Sequence, residues 1–207
     1  VTGVPYIFRM LARNWRGRTK FLVPWARCYA GGEPLTPRLA YDWESATGTK
    51  LMQEYGLSEG GITTFGAMDS PAHSIGNPIP RVRVRLESND GTGVGELIVN
   101  RLYVPRRYYF GESPETFMDD GGIRTGDLGY YRNGQYYLVG RKKSVIIVAG
   151  MKVVPAEIEL AISEWPDVDE VVVFGRPDDI RGEVPHVLVT LHERQWLRSI
   201  ELVRWLK

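Results

Sequence analysis

The stretch Gly140-Arg141-Lys142-Lys143-Ser144-Val145-Ile146-Ile147-Val148-Ala149-Gly150, followed by Pro155-Ala156-Glu157-Ile158-Glu159, decides how this chain divides. Arg141 to Ser144 is polar, follows a glycine and lies between two apolar runs, which marks a boundary. Beyond it the pattern reads as a buried strand over Val145 to Val148, a glycine turn, and a helix opened by Pro155 with Glu157 and Glu159 near its positive end. Val171 to Phe174 and His186 to Leu191 add strands, so residues 145–207 read as a small α+β unit. Ser199 to Lys207 reads as an amphipathic helix that stops without a cap signal.

Upstream of the boundary the texture is different. Val82, Val84 and Leu86 alternate with Arg81, Arg83, Arg85 and Glu87, the two-residue period of a half-buried strand. Gly95 to Asn100 and Tyr136 to Val139, bounded by Asn89-Asp90-Gly91 and Asn133-Gly134, continue an all-β pattern. Residues 76–140 therefore read as a small antiparallel barrel or sheet. Before them, helical spacing over 5–14, an apolar run from Phe21 to Tyr29, a proline-opened helix over 39–46 and a strand over 50–55 read as the end of an α/β layer over 1–75. The expected fold class is α/β with α+β: an α/β part, a β-barrel subdomain, a hinge at 141–144, and a truncated α+β lid.

Composition limits the function classes. The 207 residues carry 43% hydrophobic and 25% charged side chains and a net charge of +1 with both signs interspersed, so there is no electrostatic case for nucleic acid or an anionic membrane as partner. No apolar stretch is long enough for a membrane span. Cys28, the single cysteine, cannot form an internal disulfide and reads as a packed apolar residue, in keeping with a cytoplasmic location. The opening stretch from Val1 lacks the charged and apolar regions of a signal peptide, and both ends read as internal to a longer enzyme.

Four strings carry the candidate chemistry. In Tyr55-Gly56-Leu57-Ser58-Glu59 the glycine admits close approach of a flat or charged ligand, Ser58 offers a hydroxyl to a phosphate oxygen, and Glu59 suits a hard divalent cation. In Arg124-Thr125-Gly126-Asp127 the carboxylate, ahead of a hydrophobic strand, suits two vicinal hydroxyls. Arg141 offers a planar donor fork, and Ala149-Gly150 an unhindered backbone. Singly, each has an ordinary reading: a turn, a turn cap, a surface arginine. In this order they suit a nucleotide and its metal.

The same strings resemble the adenylate-forming superfamily of acyl-CoA synthetases, luciferases and adenylation domains. Gly31-Gly32-Glu33-Pro34-Leu35 is similar to its Gly-Gly-x-Pro-Leu turn, Tyr55 to Glu59 to its Tyr-Gly-x-Thr-Glu string with serine for threonine, and Gly95-Glu96-Leu97 to its Gly-Glu-Leu strand. Arg124 to Asp127 is similar to its Arg-Thr-Gly-Asp string, and Gly140 to Glu159 to its hinge and following helix. The resemblance implies ATP, Mg2+ and coenzyme A as cofactors. It implies that Gly32, Glu33 and Tyr55 border adenine, that Ser58 touches the adenylate phosphate, and that Glu59 holds magnesium. It further implies that Asp127 binds the ribose hydroxyls, that Val139 and Arg141 flank the sugar, that Lys143 is the hinge, and that Gly150 lines the pantetheine tunnel.

Departures are equally specific. The family's Ser/Thr/Gly-rich phosphate loop and its late catalytic lysine are not found in these residues, so the chain by itself is not expected to make an adenylate. Asn100-Arg101 stands where the family has Arg-Gly-Pro, and Gly121-Gly122-Ile123 where an aromatic precedes the arginine. The leading expectation is a fragment of an ATP-dependent acyl-CoA ligase acting on a small carboxylic acid. The alternatives are an enzyme that loads a carrier protein, and a folded module without activity. The two glycines after Glu59 leave space that suggests a bulky or ring-bearing acid. The histidines have no metal-ligand spacing, the tryptophans read as core or interface, and Arg106-Arg107 with Tyr108 to Phe110 reads as a packed corner rather than a base-stacking site. Asp178 to Glu183 reads as a hairpin turn.

Overall fold

The computed structural model describes residues 1–15, 26–88, 93–102, 107–110, 115–165 and 167–191. The expected helix over 199–207, the Asn89-Asp90-Gly91 turn, most of the Phe21 to Tyr29 run, Arg106, His192, Trp25, Trp196 and Trp205 lie outside them. The chain forms two compact units, Val1–Leu138 and Val139–Lys207.

The first unit starts as an α/β layer. Strands β1 (Thr2–Gly3), β2 (Cys28–Ala30) and β3 (Leu51–Leu57) pair in parallel, with helix α1 (Pro5–Asn14) after β1 and α2 (Pro37–Thr47) between β2 and β3. Sequence chemistry sets the bounds of α2. Thr36 accepts from the Leu39 N–H at 3.3 Å, Pro37 takes the first turn where its missing N–H costs nothing, and Gly48 ends the helix at φ +69°. Its apolar side, Leu39, Ala40 and Trp43, packs with Phe8 of α1, whose ring meets Trp43 edge to face at 4.9 Å. Cys28 lies fully buried in this cluster, the packed residue expected, and burial pushes its thiol above the ordinary range.

From β3 the sheet turns antiparallel. β4 (Gly61–Phe65), β5 (Ser74–Pro78), β6 (Val82–Glu87), β7 (Gly95–Arg101), β8 (Gly122–Arg132) and β9 (Gln135–Arg141) complete a nine-stranded sheet of order β1-β2-β3-β4-β5-β9-β8-β7-β6. The alternation of Val82 and Val84 with arginines has its expected result, valines inside and arginines out. Leu97, Ile98 and Val99 are fully buried, each contributing about 1.5–3 kcal/mol by leaving water. Asn133 (φ +50°) and Gly134 (φ +82°) make the tight β8–β9 turn.

The antiparallel unit is present as expected, but the barrel is open: among the described strands no pairing joins β6 to the far side. β4 and β5 were not expected. Gly60-Gly61-Ile62 reads as a turn in sequence, yet Gly61 and Ile62 begin β4, where Thr63 and Thr64 are fully buried. β5 contains Gly76 and Pro78, residues that weaken a strand signal. Gly76 is required there, because at φ +74° a Cβ would come within 1.8 Å of the Phe65 carbonyl oxygen.

The second unit is an α+β layer. β10 (Ile146–Val148), β11 (Met151–Val153), β12 (Val168–Asp178) and β13 (Gly182–Leu191) form an antiparallel sheet of order β11-β10-β13-β12. Helix α3 (Pro155–Ser163) lies on it, burying Ile162 and Ile158 against Val168, Val171, Val187 and Val189. Glu159 does more than complement the helix end: its carboxylate accepts the Val173 N–H of β12 at 2.7 Å. Asp178 to Glu183 is the expected hairpin turn, with Asp178 Oδ1 accepting the Ile180 and Arg181 amides at 3.0 and 2.7 Å.

Candidate functional site

The predicted site residues of the first unit, Asp127 of β8 excepted, lie at and beyond the carboxyl ends of the parallel neighbours β2 and β3. Ala30 of β2 pairs with Gln53 of β3, so the Gly31-Gly32-Glu33 turn leaves the sheet beside Glu54 and Tyr55. The packing is close, and a Cβ on Gly31 would lie 2.6 Å from Glu54 Cγ. Gly32 (φ +85°) and Glu33 are exposed there. The carboxyl edge of an α/β sheet is where such folds take ligands, because the strands end together and loops diverge.

Tyr55 and Asp127, 72 residues apart, meet directly. The Tyr55 hydroxyl donates to Asp127 Oδ2 at 2.8 Å, and both side chains are buried, at 7% and 8% exposure. Sequence reading put Asp127 ahead of a strand, with a turn cap as its ordinary role. It lies instead within β8, on a bulge: Glu96 pairs with Leu128 and Ile98 with Arg124, so Leu97 faces Thr125, Gly126 and Asp127 together. A bulge re-aims a side chain that regular pleating would send to the other face.

Ser58 and Glu59 follow β3 in the turn to β4, Ser58 exposed and Glu59 half-buried. Glu59 Oε1 accepts from the Tyr108 hydroxyl, and that hydrogen bond, with burial and the Glu59 charge, holds the Tyr108 phenol above its ordinary range. This partner was missed. Its only sequence signal was the aromatic run after Arg107, and the packed corner expected there is corrected: Tyr109 and Phe110 are 93% and 85% exposed, while Tyr108 packs on Phe117 at 5.2 Å. Among the described residues no group of three or more histidine, cysteine, aspartate or glutamate side chains could hold a metal ion. A single carboxylate fits magnesium, which keeps waters and substrate phosphates as most of its shell; it does not make a zinc cage.

The other predicted residues belong to the second unit. Val139 is buried in β9, and Arg141, at the strand's end, is exposed. Lys143 is exposed in the short 3-10 turn Lys142–Ser144. Gly150 (φ +84°) follows Ala149 (φ +48°) in the tight β10–β11 turn, with open space where a side chain would be. Of the described histidines, His73 lies against Tyr137 and His186 near Phe174.

This arrangement sets a glycine turn and a tyrosine at the carboxyl edge of a parallel layer, with a buried carboxylate brought to the tyrosine by an antiparallel one. Residues 1–109 match the family model for AMP-binding enzyme, and residues 157–207 that for the AMP-binding enzyme C-terminal domain. The chain belongs to the adenylate-forming, AMP-binding enzyme family. It is 32% identical to a long-chain-fatty-acid–CoA ligase of Yersinia pestis over 93% of its length, and 31% identical to a malonate–CoA ligase of Arabidopsis thaliana over 91%. It spans 36% and 34% of those two proteins, about a third of their length. Among solved structures, the amide bond synthetase McbA from Marinactinospora thermotolerans superimposes with a TM-score of 0.86 at 25% identity, over all of this chain and 45% of that one. No helix among the described residues is long and apolar enough to cross a membrane.

Proposed function

We propose that the chain is the adenosine- and metal-binding part of an ATP-dependent acyl-CoA ligase. The overall reaction joins a carboxylate to ATP, releasing pyrophosphate, and then exchanges AMP for the thiol of coenzyme A. The observation that carries this reading is the buried Tyr55–Asp127 hydrogen bond, which joins two separate family strings in one place.

In the first unit, Asp127 accepts both ribose hydroxyls, Gly32, Glu33 and Tyr55 border adenine, and Ser58 donates to the adenylate phosphate. Glu59 is the protein ligand of Mg2+, which when bound neutralises charge on the phosphates. Tyr55 fixes the carboxylate of Asp127, so that little ordering remains to be done when the sugar arrives. In the second unit, Val139 and Arg141 keep the sugar role, Lys143 the hinge role and Gly150 the coenzyme A tunnel role that the family resemblance gives them. The family's Ser/Thr/Gly-rich phosphate loop and late Gly-Lys string are not found in these 207 residues, so on this reading the chain by itself is not expected to make an adenylate. The setting is cytoplasmic, and the substrate is a small carboxylic acid.

The test uses the full-length protein, ATP, Mg2+ and a panel of carboxylic acids. Acid-dependent pyrophosphate release with formation of an acyl-CoA thioester is expected. Pyrophosphate release that yields no thioester with free coenzyme A, but a mass gain on a phosphopantetheinylated carrier protein, assigns the acceptor to the carrier. Release with no acid in the panel overturns the reading.

A further inference from the structure

The bulge that carries Asp127 is tied down by side chains that the nucleotide reading does not use. Backbone amides in a bulge lose their ladder partners and must find others. Here Thr125 Oγ1 donates to the Leu97 carbonyl at 2.9 Å and accepts the Asp127 N–H at 3.0 Å. The Gly126 N–H donates to Glu96 Oε1 at 3.1 Å, and Glu96 Oε2 accepts from Arg124 Nη1 at 3.2 Å. One carboxylate thus holds both the residue that begins the bulge and the residue next to Asp127. Glu96 is only 6% exposed, and a buried carboxylate is costly unless it is paired and hydrogen-bonded. Arg124 supplies the pairing and is itself held by Glu87. Gly126, at φ +70° with open space around it, supplies the backbone conformation.

We infer that Glu96 and Thr125 are positioning residues for nucleotide recognition, holding the β8 bulge in the geometry that presents Asp127 to the ribose. The inference rests on the assignment of Asp127 to the sugar hydroxyls. Glu96 and Thr125 act through Asp127, so their loss removes recognition of the hydroxyls and leaves recognition of the base and phosphate.

Calorimetric titration of the full-length protein with AMP and with 2′,3′-dideoxy-AMP separates these effects, in wild type and in Asp127→Ala, Glu96→Ala, Glu96→Gln and Thr125→Val. Wild type is expected to prefer AMP by about 10-fold or more, the scale of hydrogen bonds to a charged group. Asp127→Ala abolishes the preference. Glu96→Ala and Thr125→Val lose most of it with dideoxy-AMP affinity unchanged, while Glu96→Gln, which keeps an acceptor for the Gly126 amide, retains it. If Glu96→Ala does not fold, Thr125→Val decides. A preference kept in Thr125→Val and in any folded Glu96→Ala, or an equal loss for both nucleotides, overturns the inference. A preference kept in Asp127→Ala overturns the ribose assignment, and the inference with it.

Discussion

Tyr55 Oη lies 2.8 Å from Asp127 Oδ2, a buried contact between the strand that ends the parallel layer and a bulge in the antiparallel one. It ties the end of β3, just ahead of the Ser58-Glu59 turn, to the Arg124 to Asp127 string. Replacing Tyr55 with phenylalanine keeps the ring and leaves a buried carboxylate without this donor. A loss of about 1.5–3 kcal/mol in unfolding free energy is expected, read by urea denaturation. An unchanged midpoint would show that the contact does not hold the two parts of the sheet together.

Two glycines with similar backbone angles separate conformation from space. Gly134, at φ +82°, has nothing within 4 Å of a built Cβ, whereas Gly76, at φ +74°, would place it against the Phe65 carbonyl. Gly134→Ala is expected to cost about 1–2 kcal/mol, the penalty of the left-handed region alone. Gly76→Ala adds a backbone clash and should yield little folded protein, as thermal melting and soluble yield will show.

Ile162 is fully buried at the centre of the second unit's core, beside Val168. Ile162→Ala leaves a cavity and should destabilise that unit by about 2–5 kcal/mol. The change is read unit by unit, by amide hydrogen exchange in β12 and β13 against that in β7 and β8. Equal destabilisation of both units would contradict their separate cores.

Asp178 is held below the ordinary carboxylate range by the Arg181 and Ile180 amides that it accepts, with the Arg181 charge adding to them. Because the folded value lies below the unfolded one, its stabilising effect is complete above the unfolded value and disappears as pH falls through the folded one. Asp178→Asn removes this dependence. Its stability should therefore fall less steeply than wild type on acidification below about pH 4, the ordinary carboxylate region. Parallel acid titrations of the two proteins would rule the turn out as a contributor.

Much of the architecture is legible along the chain because its signals are local. The alternation of Val82, Val84 and Leu86 with arginines, Pro37 and Pro155 at helix starts, and Asn133-Gly134 each state their own structure. What is illegible depends on pairing between distant segments. The aim of Asp127 comes from a β7–β8 register shift held by Glu96, whose place in the Gly95-Glu96-Leu97 string says nothing of its bond to the Gly126 amide. Thr63 and Thr64 read as polar and are fully buried, because β4 lies between β3 and β5. Glu59 reads in sequence as a candidate cation ligand, but its hydrogen-bond partner Tyr108 lies 49 residues away, and nothing local links the two.

The site itself is tested most directly by a crystal structure of the full-length protein with AMP. The expected result is the Asp127 carboxylate within about 2.5–3.0 Å of both ribose hydroxyls, with Tyr55 still donating to Oδ2 and adenine against the Gly31-Gly32-Glu33 turn. A nucleotide bound elsewhere, or a ribose that does not reach Asp127, would contradict the account.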